Sequence, residues 1–530
     1  MKHLFPGKRE QYWAALLAAP ILAGAAVSAQ ADNNEECFLT QVKPYAVSYS
    51  TDYVVKPLLS VGEQLPSTKN ASQVYQLVGI PDGLGVHKAG HNNVAVYMNH
   101  EFGNTVVSTP YPGLPSYRGA FVSRLMLNRD GCVLSGDVAY TEVVDHEKGL
   151  VLPPAQVGNT TPGFARFCSG SLSWKEAGFD RPIYFCGEES GGAATFDGKG
   201  GLGVCVFDNQ LHTLPWQGRF PWENTLARPH PGETTVLMMM EDGPNTPDNQ
   251  LYMWVGKKNK KASDGLGRNG LGRDDGGVWV LIGDDASKNS ELTFTSGSIT
   301  AHWVKLEGVE AMTDAQLEVA SDAVGAFGFI RTEDGAFDKK DPNIYYFVTT
   351  GGGTGNSLGR LYKLELNKKD VTGPCKLTLI YNADEVIAAG GDIAISPDNV
   401  ETIPGAVLIC EDGTAQSRAV MSAKGRDGQI WSFDIKNNYE ATPIVELNPP
   451  GTVRPVSGNP PVLGNPPAIT AGVWETSGIV STEGLLGNGT LLFDVQAHLP
   501  SLAPGTGTVE DGQLLLLIPT RGKDRGDDRD

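Results

Sequence analysis

Basic residues are scarce: 42 Lys and Arg stand against 61 Asp and Glu over 530 residues, a formal net charge of −19. A chain this acidic is a poor non-specific binder of nucleic acid, because the phosphate backbone repels it. Long apolar runs are missing too. No stretch approaches the roughly 20 apolar residues that span a bilayer. Nucleotide-phosphate loops of the G-x-x-x-x-G-K-[ST] type are absent, and so is a usable G-x-S-x-G nucleophile elbow, since Ser169-Gly170-Ser171 lacks the pattern. The cysteines lack the C-x-x-C spacing of zinc sites. No long amphipathic helical period is evident. These absences exclude a membrane span, a P-loop enzyme and a serine hydrolase of the elbow type.

What remains is strand and turn. Gly at 65 and Pro at 34 punctuate the chain heavily, which favours many short elements. Short apolar runs such as Val94–Met98, Val204–Phe207, Thr235–Met238, Ile344–Val348 and Leu491–Phe493 are bounded by turn residues and read as buried strands. A phrase of turn, apolar–aromatic alternation and polar exit recurs at 249–254, 276–280, 359–364 and 428–433. Irregular recurrence of one strand type fits the blades of a propeller with loop insertions. The expected fold is therefore an all-β β-propeller in one domain over 32–520. Residues 256–277 and 449–468 read as exposed loops, and 521–530 as a charged disordered tail.

The N-terminus reads as an export signal. Lys2, Lys8 and Arg9 precede a short apolar run, and Ala29-Gln30-Ala31 offers a cleavage pattern before Asp32. Seven cysteines follow it, and an exported chain permits disulfides. Seven is odd, and Cys168 is expected to be the one left over. The destination is a periplasm or the exterior, and the protein is expected to be a monomer without a membrane span.

Chemistry concentrates in acidic pairs. Glu241-Asp242-Gly243, Glu333-Asp334-Gly335 and Glu411-Asp412-Gly413 follow apolar strands, with Cys186-Gly187-Glu188-Glu189 as a variant. Equivalent strand ends of a propeller converge on one mouth. Carboxylates gathered there repel one another unless a cation neutralises them. Asn99-His100-Glu101, Trp222-Glu223-Asn224 and Pro397-Asp398-Asn399 add oxygen donors.

In this order the phrases resemble the PhoX-type alkaline phosphatases. The resemblance runs from Val78 to Leu502 and implies that the propeller is six-bladed. It is carried by Gly79–Gly85, Asn99-His100-Glu101, Phe167-Cys168-Ser169-Gly170, Cys186–Glu189, Gly218–Glu223, Arg331–Asp334, Pro397-Asp398-Asn399, Trp474–Gly478 and Asp494–His498. The chain departs from the family pattern at Trp222, where a histidine is usual, at Thr332, where a proline is usual, and at the extra Gly187. The resemblance implies an exported metal-dependent phosphatase that hydrolyses phosphate monoesters with Fe3+ and Ca2+. It implies Cys168, Glu223 and Glu333 as iron ligands and Arg331 as the catalytic phosphate holder. Asp398, Asn399, Glu411 and Glu475 are implied as calcium ligands or their supports, and Glu188, Glu189 and Asp242 join the metal set from the acidic pairs. A calcium-dependent phosphotriesterase or lactonase and a calcium-stabilised binding propeller remain alternatives.

Overall fold

The computed structural model describes residues 37–70, 72–413, 415–447, 474–498 and 506–520. The expected signal 1–31, the loop 449–468, Leu499-Pro500 and the tail 521–530 lie outside the described residues. Among the described residues, no helix is long and apolar enough to cross a membrane.

Six blades surround one axis, antiparallel except where Glu142–Asp145 pairs in parallel with Gln210–Thr213 in the outer part of the second. Their innermost strands are Pro81–Ala89, Ser171–Ser173, Trp222–Ala227, Thr332–Phe337, Pro397–Ile403 and Trp474–Ser481. Each touches the next in cyclic order, and the sixth returns to the first. The propeller expectation is met, and each blade twists outward through successive hairpins. The third and fourth blades also join at their rims, where Ser298–Leu306 pairs with Cys375–Asn382.

The ring is closed by the start of the chain. Ala46–Ser48 adds a strand to the fifth blade beside Glu440–Leu447, and Tyr53–Ser60 adds one to the sixth beside Asp511–Pro519. Just upstream, Cys37 is disulfide-bonded to Cys132, 95 residues away, at the outer edge of the first blade. One short segment thus stitches three blades together. Cys37→Ser is expected to lower stability by about 4–5 kcal/mol through restored chain entropy of the unfolded state, checked by denaturant unfolding with and without reductant.

Cys168 is free, as expected, but four others are free with it: Cys186, Cys205, Cys375 and Cys410. Strand geometry is the reason. Cys186 lies opposite Val204 and Cys205 opposite Phe185, so neighbouring pleats turn the two thiols to opposite faces. Cys375 and Cys410 sit in different blades. The segment 256–277 also departs from expectation. Leu266 and Leu271 are buried, and the Lys258 ammonium donates to the carbonyls of Ala177 at 2.7 Å and Gly232 at 3.0 Å. The helix Asp314–Val324 was not read from the sequence, although Thr313 and Gln316 form a capping box at its start.

Candidate metal centre at the propeller mouth

Five innermost strands share a pattern at one end. Their second residues are Asp82, Glu223, Glu333, Asp398 and Glu475. In each of these strands the pairing register shifts just past the acid, a β-bulge between Asp82/Leu84, Trp222/Thr225, Thr332/Gly335, Pro397/Val400 and Thr476/Ile479. A bulge re-aims the side chain beside it. In the second blade Cys168 and Ser169 occupy this place, just before Ser171–Ser173. Neighbouring second strands run back to the same end and leave the sheet at Glu101, Glu188-Glu189, Asp242, Asp412 and His498. Two rows of acids therefore meet at the axis.

Three donor sets come together within 4.8 Å: Asp82, Glu101 and Cys168; Cys168, Glu223 and Asp398; Glu189, Glu223 and Asp242. Cys168 and Glu223 are each shared by two sets. The Cys168 thiol donates to Asp82 Oδ2 at 3.3 Å. Its loop is held by Asn99, whose Nδ2 donates to the carbonyls of Cys168 at 2.6 Å and Ser169 at 3.1 Å. Asn399 Nδ2 donates to Ser169 Oγ at 2.6 Å, and Ser169 Oγ donates to Glu223 Oε1 at 2.5 Å. A Cβ on Gly83 would lie 2.2 Å from Gly170 N, so glycine there lets the first two blades close on the loop.

The electrostatics are those of a site made for cations. Burial, then Glu101, pushes the Asp82 carboxyl up to about 7. Burial, then Asp242, raises Glu223, and burial, then Glu223, raises Asp398. Burial, then Asp82, raises the Cys168 thiol. Glu223 Oε2 and Asp398 Oδ1 are buried without a hydrogen-bond partner. Acceptors stranded in this way carry a desolvation penalty of about 1–3 kcal/mol each. A hard cation removes both the penalty and the mutual repulsion. The residues therefore fit a metal cluster, with one thiolate donor among carboxylates.

An arginine and a histidine face this cluster. Arg331 forks onto Asp242 through Nε at 2.8 Å and Nη2 at 2.7 Å, and its Nη2 reaches Glu333 at 3.1 Å. His498 lies between Glu475 at 2.9 Å and Glu510 at 3.3 Å.

Of the residues named from sequence, Cys168, Glu223, Asp398, Glu189 and Asp242 fall into the donor sets. Glu333 lies beside them on Arg331. Glu475 is at the mouth on His498, and Asn399 positions Ser169. Glu188 and Glu411 are corrections. The Glu188 carboxylate turns into its blade and accepts the backbone N–H groups of Ala165 at 2.9 Å, Phe196 at 2.8 Å and Leu202 at 3.2 Å. Glu411 accepts both arms of Arg426 at 2.6 and 3.0 Å, with Ile395 N at 2.6 Å and Gln429 N at 2.8 Å. Glu411 has no acceptor capacity to spare, and both oxygens of Glu188 are engaged by its own blade. Glu411→Ala is expected to cost about 3–5 kcal/mol of stability by leaving the buried Arg426 charge with only the part-exposed Asp392 as partner, with metal content and turnover per folded molecule unchanged. Thermal unfolding beside metal analysis checks it. Asp82 was not named from sequence, although the recurring acid in second place of the inner strands marks it, and Glu101, read only as an oxygen donor in Asn99-His100-Glu101, joins Asp82 and Cys168 in one donor set.

The departures at Trp222 and Gly187 belong together. A Cβ on Gly187 would lie 2.3 Å from Trp222 Cβ. The indole fills that space, stacks on Phe220 at 4.0 Å and donates through Nε1 to Gly201 O at 3.0 Å. The glycine accommodates the tryptophan, and the neighbouring Glu223 keeps its place.

Fold and site define a β-propeller with an acidic, thiol-containing mouth suited to metal ions. The sequence model of the family described as "Alkaline phosphatase PhoX" matches residues 210–446. Among solved structures, Pseudomonas fluorescens PhoX in complex with vanadate, a transition state analogue, is similar with a TM-score of 0.61 at 15% identity, covering 91% of this chain and 97% of that one. A luciferin-regenerating enzyme (TM-score 0.33, 7% identity, 84% and 93% covered) and Chaetomium thermophilum Sqt1 (TM-score 0.29, 11% identity, 84% and 96% covered) are more distant. No curated protein matches the chain. The family match bears out the PhoX-type resemblance and the enzyme class it carries, a phosphoric monoester hydrolase. The first structure bears out the fold.

Proposed function

We propose that the protein is an exported, metal-dependent alkaline phosphatase acting on phosphate monoesters. The observation that carries metal dependence is the pair of stranded buried acceptors, Glu223 Oε2 and Asp398 Oδ1, in one donor set with Cys168. Cys168, Glu223, Asp398, Asp82, Glu101, Glu189 and Asp242 would hold the ions. The soft thiolate favours a transition metal such as iron in the Cys168 sets, and the all-carboxylate set of Glu189, Glu223 and Asp242 favours calcium. When bound, the cations supply positive charge that neutralises the phosphoryl oxygens.

The chain's own residues do the rest. Arg331 offers a planar fork suited to two non-bridging oxygens of a phosphoryl group. Asp242 and Glu333 hold that fork at the mouth. Asn99, Asn399 and Ser169 fix the Cys168 loop, so the donor set is preorganised. The disulfide between Cys37 and Cys132 supports export to an oxidising compartment.

The test is metal content by mass spectrometry on protein purified without chelator, with p-nitrophenyl phosphate turnover on the same sample. Iron plus calcium with turnover is expected. Calcium with turnover of a triester or lactone only would support the calcium-hydrolase alternative. Calcium alone with no turnover would leave a binding propeller.

A further inference from the structure

Arg166 repeats the design of Arg331 on the other side of the same carboxylates. Both are non-glycine residues in the left-handed region, Arg166 at φ 50° and Arg331 at φ 57°. For a side-chain-bearing residue this conformation costs about 1 kcal/mol or more, and such strain gathers at functional sites. Each guanidinium forks onto one carboxylate and reaches a second. Arg166 takes Glu189 through Nε at 3.1 Å and Nη2 at 2.7 Å, and Glu101 through Nη2 at 2.7 Å. Arg331 takes Asp242 and Glu333. Glu189 and Asp242 are two corners of one donor set, with Glu223 the third. The two guanidinium groups therefore flank that set. The backbone of Arg166 is pinned as well: its N–H donates to Phe102 O at 2.8 Å, and its carbonyl accepts Glu189 N at 2.8 Å.

The two differ in exposure. The Arg331 side chain is 18% exposed and Arg166 48%. Arg166, half open at the entrance, strained and held in place, has donors left for an incoming anion. Arg166 carries five N–H groups, and its ion pairs with Glu189 and Glu101 engage only part of them.

We propose that Arg166 is the outer arm of a two-arginine clamp that favours the doubly charged phosphate monoester over the singly charged diester. The inference rests on the phosphatase reading. The inner arm and the cations meet the charge that both substrates share. The outer arm meets the second negative charge, which only the monoester carries. A diester places an ester group there and gains little from it.

The experiment compares wild type, Arg166→Met and Arg166→Lys on p-nitrophenyl phosphate and bis-(p-nitrophenyl) phosphate, with metal content and inorganic phosphate affinity measured on each. In Arg166→Met, kcat/KM for the monoester is expected to fall about 10²-fold, while the diester changes less than about fivefold. Inorganic phosphate is expected to bind more weakly at unchanged metal content. Arg166→Lys, with charge but no fork, is expected to recover only part of the preference. Equal loss on both substrates, or unchanged preference with weaker metal retention, would assign Arg166 to holding Glu189 and Glu101 and overturn the proposal. If wild type turns over neither ester, the phosphatase reading itself fails, whereas turnover with an unaltered monoester-to-diester ratio in Arg166→Met sinks the clamp alone.

Discussion

Glu223→Gln is expected to lose about 10³-fold in phosphatase turnover, together with most of the bound metal. The expected change in stability has opposite signs with and without metal. Glu223 belongs to two donor sets, so one substitution removes an anionic ligand from both. Loss of one charge partner in a transition state typically costs about 10²–10³-fold, and loss of the ions themselves puts the effect at the upper end. Stability supplies the discriminating sign. In metal-free protein the Glu223 carboxyl is raised by burial and then by Asp242. Its ionised form is thus disfavoured in the folded state, and removing the charge relieves repulsion. Metal-free Glu223→Gln is expected to melt higher than metal-free wild type, and metal-treated Glu223→Gln lower than metal-loaded wild type. The pH dependence follows the same logic. Asp82, pushed up to about 7 against about 4 unfolded, takes up a proton in the native state before it does in the unfolded chain. Metal-free protein therefore gains stability as pH falls from 8 through about 7. Calorimetry with and without chelator reads both signs. A metal-free variant less stable than wild type would make Glu223 a structural partner of Ser169.

The fold was more legible than the site because it depends on patterns repeated many times. Apolar strands bounded by turns give blades, and strand ends give a mouth. The copies at 251–257, 360–365 and 429–434 are the third strands of three successive blades, while 276–283 is a fourth strand. The choice between adjacent acids was not legible. Glu188 and Glu189 differ by one pleat, and so do Glu411 and Asp412. A shift of one residue turns a side chain from the blade interior to the axis. The copy Glu333-Asp334-Gly335 shows the same limit. It lies within an inner strand, not after one, and Asp334 is used internally, accepting from Asn224 at 2.6 Å and Val400 N at 3.0 Å. Strand register and, in five inner strands, the bulges decide these orientations, and both depend on pairing that a single sequence does not display. Arg166 escaped notice because nothing in Ala165-Arg166-Phe167 signals a left-handed backbone, which glycine or asparagine would have suggested.

Arg331→Ala is expected to keep the fold and lose about 10²–10³-fold in kcat/KM, with little of that loss recovered by Arg331→Lys. The guanidinium touches Asp242 and Glu333, and cations bound at the mouth would still neutralise those carboxylates, so the blade should survive its removal. What disappears is a planar donor pair at the mouth, which an ammonium group cannot reproduce. The main competing account is that Arg331 merely neutralises its two carboxylates. That account makes a different prediction. Truncation would then leave Asp242 and Glu333 more negative, tighten calcium retention and spare turnover once metals are replenished. Arg331→Gly separates backbone from side chain. Glycine adopts φ 57° without the side-chain penalty, so this variant should be at least as stable as Arg331→Ala and equally inactive. If turnover instead returns with glycine, the strained backbone is the defect in Arg331→Ala and the fork is not needed. If all three variants lose turnover alike while retaining their metals, the loss belongs to the guanidinium, whose fork then acts on the substrate in addition to holding the carboxylates beneath it.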